Sequence, residues 1–136
     1  MYSTFISFIP KNLFSFGVKS NNDNRGTFVE FLRSKSFGQV SFFSINVMKS
    51  RGEHYHHSKV EQFMILQGSA KIKYYNLYNN KTIMKKVNDK KMQIFRSMPG
   101  YVHTIINTGR SKILGIVWAN ENFNIKKADT FKLNHD

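Results

Sequence analysis

Between Gly26 and Trp118 the chain never sustains a helical period. Apolar residues either alternate with polar ones or gather in short aromatic and β-branched runs, and turn residues close each run. Strands are expected at 27–33, 39–47, 53–57, 62–67, 70–77, 81–87, 92–95, 102–106 and 112–118, with turns at Gly68, Asn79-Asn80, Asn88-Asp89, Pro99-Gly100 and Thr108-Gly109. Many short strands at this spacing predict an all-β sandwich or barrel of antiparallel sheets. Residues 1–24 break the pattern with clustered phenylalanines and a polar Ser20–Asn24 stretch, and read as a short helix or an arm against a partner. This divides the chain into an N-terminal arm, 1–24, and a single domain, 25–136, with no repeat or linker to suggest a second.

A chain of 136 residues with 40% apolar content suffices for one core. The absence of cysteine rules out disulfides, thiolate metal sites and cysteine nucleophiles. Any metal site must therefore use nitrogen and oxygen. No apolar run approaches the ~20 residues that cross a bilayer, so no membrane association is expected. The first residues lack the features of a secretory leader, and a cytoplasmic protein is the default. The net charge of +13 would suit a nucleic-acid binder if it were clustered, but the lysines run from Lys11 to Lys132. Asn, Ile, Phe and Tyr are abundant as well, as in the product of an AT-rich genome, and the charge reads as solvated faces with no nucleic-acid partner. A basic pocket for a diphosphate remains in keeping with it.

Three histidines fall within four positions in Arg51–Gly68: His54, His56 and His57. Strand parity puts His54 and His56 on one face and His57 on the other, making His57 a bystander. A hairpin at Ser58-Lys59 would return the Glu61 carboxylate to the pair, and the strand after Pro99-Gly100 supplies His103. Three imidazoles and a carboxylate suit a first-row divalent ion, so His54, His56, Glu61 and His103 are the candidate metal ligands. Singly, a strand histidine is more often structural than ligating.

Gly52, His54, His56, Glu61 and Gly68 fill the spacing G-x-H-x-H-x4-E-x6-G, which resembles the first cupin motif. Gly100, His103 and Asn107 resemble the second, except that Pro99 directly precedes Gly100 where the usual motif leaves one residue between them. The resemblance implies a cupin-type double-stranded antiparallel jelly roll. Asn22–Glu30 resembles the D-x-R-G-x-F-x-E stretch of nucleotide-sugar cupins such as dTDP-4-dehydrorhamnose 3,5-epimerase, in which the arginine helps hold the nucleotide phosphates and a segment like Arg51–Tyr55 carries a histidine base. Nearly the whole chain, from Tyr2–Pro10 through Asp23–Arg33 and Pro99–His103 to Trp118–Phe123, resembles the cupin half of the bifunctional UDP-sugar epimerase-reductases of capsular polysaccharide synthesis, on the route to UDP-N-acetyl-L-fucosamine.

That resemblance implies a zinc-containing C3-epimerase acting on a 4-keto-6-deoxy UDP sugar. It also implies an NADPH-dependent reductase elsewhere, because this chain has no G-x-G-x-x-G and is expected to bind no NAD(P). Epimerisation beside a ketone needs a base for the C3 proton and stabilisation of the charge that develops on the C4 oxygen. His54 is a candidate for both base and ligand, and one nitrogen lone pair cannot serve both. Tyr101 is a second candidate for proton transfer, and Arg25, Arg51 and Lys59 are candidates for the diphosphate. Trp118 is expected in the core and Asn107 at a turn. The phenylalanine arm, with the pairing common among such cupins, predicts a homodimer. A 3,4-ketoisomerase and a non-catalytic sugar- or metal-binding cupin are the alternatives.

Overall fold

The computed structural model describes residues 2–133; Met1 and residues 134–136, which fall within the expected arm and domain, lie outside the described residues. Helix α1 (Tyr2–Ser7) opens the chain and a single 3-10 turn follows at Lys11–Leu13. The strands are β1 (Ser20–Asp23), β2 (Gly26–Ser34), β3 (Gly38–Ile45), β4 (Ser50–Tyr55), β5 (Glu61–Gln67), β6 (Ser69–Asn76), β7 (Thr82–Asn88), β8 (Phe95–Ser97), β9 (Tyr101–Asn107), β10 (Ile113–Ala119) and β11 (Phe131–Lys132).

They form two antiparallel sheets, a six-stranded one in the order β1-β2-β3-β10-β5-β8 and a five-stranded one in the order β11-β4-β9-β6-β7. Alternation along each strand turns Phe43 and Ile45, Phe63 and Ile65, Ala70 and Ile72, Ile105 and Ile113 into the space between the sheets. Ile45, Ile72 and Ile113 are fully buried, and each such side chain contributes on the order of 1.5–3 kcal/mol. This core fills one end of the sandwich and leaves the other end open.

Several elements depart from the sequence reading. Residues 20–23 form β1 and pair with β2, extending the six-stranded sheet by one edge strand. The strand expected at 92–95 starts only at Phe95, because it pairs with β5 from Phe63↔Phe95 onward. Ser58-Lys59 is no hairpin: β4 lies in the five-stranded sheet and β5 in the six-stranded one, so the connection crosses the sandwich. Trp118 is not in the core. Its neighbours Val117 and Ala119 face inward, so its indole lies on the outer face of the six-stranded sheet and donates to the Phe37 carbonyl at 2.6 Å.

The register of β4 is interrupted once. Arg51 pairs with Ile105 and Gly52 with Thr104, but the next partner of His103 is His54 rather than Glu53. Glu53 is the extra residue of a β-bulge and takes φ 61°. Without it His54 would stand opposite Val102 and face outward. Gly52, at φ 99°, is required for the same reason, since a Cβ there would sit 2.5 Å from the His103 carbonyl oxygen.

Candidate metal centre and its cavity

The bulge shifts the inward phase of β4 by one residue, so that Arg51 and His54, three positions apart, both line the open end of the sandwich. His56 follows just beyond the end of β4 and is buried, while His103 comes from β9 on the same sheet. Glu61 begins β5 and reaches across from the opposite sheet. Its Oε2 lies 3.2 Å from His56 Nε2, 3.3 Å from His103 Nε2 and 4.0 Å from His54 Nε2. One ligand atom from each of the four residues falls within 4.8 Å of all the others.

The protonation pattern tests whether an ion fits. His56 Nδ1 lies 2.5 Å from the Asp129 backbone carbonyl, an acceptor only, so Nδ1 carries a proton and Nε2 is the nitrogen turned to Glu61. A neutral His56 would face the carboxylate with a lone pair at 3.2 Å, so a positive charge, a proton on Nε2 or a metal ion, must join the two. His54 Nε2, His56 Nε2 and His103 Nδ1 are buried without a hydrogen-bond partner, which buried polar atoms seldom are. Burial pushes the Glu61 carboxyl up, but the three imidazoles outweigh it and hold the group well below the usual carboxylate range. Burial likewise pulls His103 below an ordinary histidine, against the pull of Glu61. A carboxylate oxygen and three imidazoles converging on one point are the donor set of a divalent cation.

The site opens into a cleft of about 110 Å³ at the end of the sandwich. Phe28, Phe43, Phe63, Ile105 and Val117 supply its apolar wall, and Gln39, Ser41 and Arg51 its polar groups. Arg51 is anchored by Nε donating to the Ser44 carbonyl at 2.9 Å and by Nη2 standing 3.4 Å from Asp23 Oδ1. Burial lowers its pKa, but an arginine starts high enough to stay charged. Arg25 lies outside this cleft on the β1–β2 turn, exposed, with Nε and Nη2 donating to Asp23 Oδ2 at 3.0 and 2.5 Å. Lys59 is buried, its Nζ 3.0 Å from Thr130 Oγ1 and 3.5 Å from Glu61 Oε1, so it lies beside the carboxylate rather than over the mouth. Tyr101 shares the inward parity of His103 on β9 but is not among the residues lining the cleft. His57 packs against Phe131 and Tyr55, away from the cluster. Asn107 spans a turn, donating to the Ile45 and Ser111 carbonyls and accepting from the Gly109 N–H.

Sequence reasoning gave no role to Asp129. Its carboxylate accepts the N–H groups of His57, Ser58 and Lys59 at 2.7–2.8 Å and the Ser58 hydroxyl at 3.0 Å. Burial would raise its pKa, but these donors hold the carboxyl well below the usual range. The available signal was scarcity, because the chain has only 8 acidic residues and an aspartate in a lysine-rich tail invites a structural question.

Two antiparallel sheets enclosing a three-histidine, one-carboxylate cluster at their open end define a cupin-like jelly roll with a candidate metal centre. The chain belongs to the polysaccharide biosynthesis C-terminal domain family, whose model matches residues 21–131. It is 40% identical over 131 residues to the UDP-2-acetamido-2,6-beta-L-arabino-hexul-4-ose reductase of Pseudomonas aeruginosa, a match that covers 96% of this chain and 35% of that protein. The chain thus spans about a third of the length of the curated relative it matches. Capsular polysaccharide assembling protein CapF of Staphylococcus aureus superposes with a TM-score of 0.91 at 33% identity, covering 98% of this chain and 39% of that one. Oxalate decarboxylase of Bacillus subtilis, at 16% identity and a TM-score of 0.67 over 85% of this chain and 30% of its own, shares the fold alone. Among the described residues no helix is long and apolar enough to cross a membrane.

Proposed function

We propose that the chain is a cytoplasmic C3-epimerase of a UDP-linked 4-keto-6-deoxy N-acetylhexosamine in surface polysaccharide biosynthesis, working with a divalent ion, zinc by resemblance. The observation that carries this reading is the convergence of His54, His56, Glu61 and His103 at the head of an apolar cleft that also holds Arg51. A relative named as a reductase of a UDP-linked hexul-4-ose supports a substrate with a ketone at C4. The reduction itself is assigned to a separate reductase, and no NAD(P) site is assigned to this chain.

His56, Glu61 and His103 would hold the ion, as the two least exposed imidazoles and the carboxylate between them; their histidine side chains are 1% and 4% exposed against 24% for His54. When bound, a divalent ion supplies Lewis-acid stabilisation of charge on the C4 oxygen, worth several kcal/mol. His54, the outermost of the set and the farthest from Glu61 Oε2, takes the C3 proton from one face, and an acid on the other face returns one to invert the centre. Arg51 binds the diphosphate from its anchored position, with Arg25 at the rim, while Lys59, buried against Thr130 and Glu61, balances the charge of the carboxylate. Tyr101, which shares the inward parity of His103 on β9, is the second group proposed for proton transfer, as the acid on the face opposite His54. The aromatic and aliphatic wall excludes water, which strengthens each of these interactions. The protein is proposed to work as a homodimer.

Incubation in D2O with a UDP-4-keto-6-deoxy-N-acetylhexosamine tests the reading. Deuterium at C3 with retention of the C4 ketone is expected, and movement of the carbonyl to C3 would show a 3,4-ketoisomerase instead. His54→Gln should retain the metal and lose exchange; loss of the metal from that variant would place His54 among the ligands and leave the base elsewhere.

A further inference from the structure

His56 is the one imidazole of the cluster whose far nitrogen is satisfied by protein, and the group that satisfies it is a backbone carbonyl in the C-terminal segment. A carbonyl can fix a ring only if it is itself held. That of Asp129 belongs to the residue whose carboxylate is locked by three successive N–H groups, those of His57, Ser58 and Lys59, together with the Ser58 hydroxyl. The two contacts close a loop: the side chain of Asp129 grips the backbone directly after His56, and its main chain grips the ring of His56. Two residues further on, β11 pairs Phe131 with Tyr55 and Lys132 with His54, and the Phe131 ring stacks on Tyr55. Thr130 between them takes the Lys59 ammonium.

We infer that Asp129 is a positioning residue, and that it sets the ring orientation and tautomer of His56, leaving Nε2 as the unprotonated, ligating nitrogen on the Glu61 side. The rest of the segment ties this residue down at both ends of the 54–59 loop. The inference rests on the metal reading only for its consequence, a change in metal affinity, and not for the orientation itself. Asn at this position offers one acceptor oxygen where two are used, and turns an amide donor toward backbone donors.

The test reads the ring directly. In 15N-labelled protein without metal, imidazole correlation spectra should show His56 as the Nδ1–H tautomer, and Asp129→Asn should convert it to a mixture of tautomers. Ser58→Ala removes only one of the donors to the carboxylate, keeps the fold, and should shift His56 in the same direction by less. Zinc affinity by chelator competition should fall about 10- to 100-fold in Asp129→Asn, the range for losing a partner behind a metal ligand, and the cobalt-substituted spectrum should change. A His56 tautomer that is Nε2–H in the wild type, or unchanged in both variants, would overturn the inference. So would a variant with reduced melting temperature but wild-type tautomer and affinity, since that is a structural role only. A shifted tautomer with no zinc uptake even by the wild type would uphold the positioning role and sink the metal reading instead.

Discussion

Glu61 is the one carboxylate of the four-residue cluster, and it is therefore the residue whose charge the site depends on. Glu61→Gln keeps the shape and removes the charge. It is expected to lower zinc content on purification, and affinity by more than about 100-fold, beyond the cost of losing an outer partner; metal analysis of untagged protein checks it. Asp23 carries a different kind of prediction. Hydrogen bonds from Arg25, with Arg51 nearby, bring its carboxyl down to about 2 against a burial effect that would raise it. Because the folded pKa lies below the ordinary ~3.9, any stabilisation is present above about pH 4 and is lost as pH falls toward 2. The pair is exposed and salt-screened, so its contribution to stability is small, but the titration is measurable. Carboxyl NMR should place Asp23 near 2, and Arg25→Ala should move it back toward the ordinary value.

The bulge in β4 links backbone geometry to chemistry. Gly52→Ala introduces a Cβ 2.5 Å from the His103 carbonyl at a φ of 99° that side chains rarely adopt. It should cost at least about 2 kcal/mol, seen as a melting temperature lower by about 5–10 °C, and should also weaken zinc binding by moving β4 off β9. The same element shows what was legible in the sequence and what was not. Period-two patterning located β2, β3, β5, β6, β9 and β10, because each has an apolar side to bury, whereas β4 and β7 bury little and were bounded by their turns; the spacing of His54, His56, Glu61 and His103 identified the cluster. Patterning could not reveal β1 or β11, whose residues are exposed on both faces and leave no alternation to read. It also could not show that Glu53 breaks the alternation, since a bulge changes which residue is inward without changing composition. Arg51 and His54 share the cavity only because of that extra residue. Asp129 was out of reach for a related reason: its contacts lie some seventy positions away in sequence and go to backbone atoms, which leave no mark on residue type.

The whole molecule leaves much apolar surface without cover. Phe5, Phe8, Phe14 and Phe16 of the arm are 69–81% exposed. Val40, Met64, Ile94, Ile116 and Trp118 form an apolar patch on the outer face of the six-stranded sheet. Patches of this kind mark association sites, and β1 at the edge of that sheet offers unpaired backbone as well. The proposed homodimer would lay the arm of one copy on this face of the other, and light scattering should then give twice the 15.9 kDa of one chain. Burying a phenylalanine contributes about 1.5–3 kcal/mol, so Phe8→Ser with Phe14→Ser should weaken pairing by roughly a hundredfold or more while leaving metal content unchanged. Electrostatics works the other way: each copy carries a formal +13, and two such copies repel. Pairing driven by apolar burial against that repulsion must tighten as salt screens it, whereas pairing through ion pairs would loosen. A dissociation constant that falls between 0.05 and 0.5 M salt (about 14 to 4 Å of screening length) is therefore the signature expected of the arm-and-face dimer. A monomer at micromolar concentration in high salt would remove it.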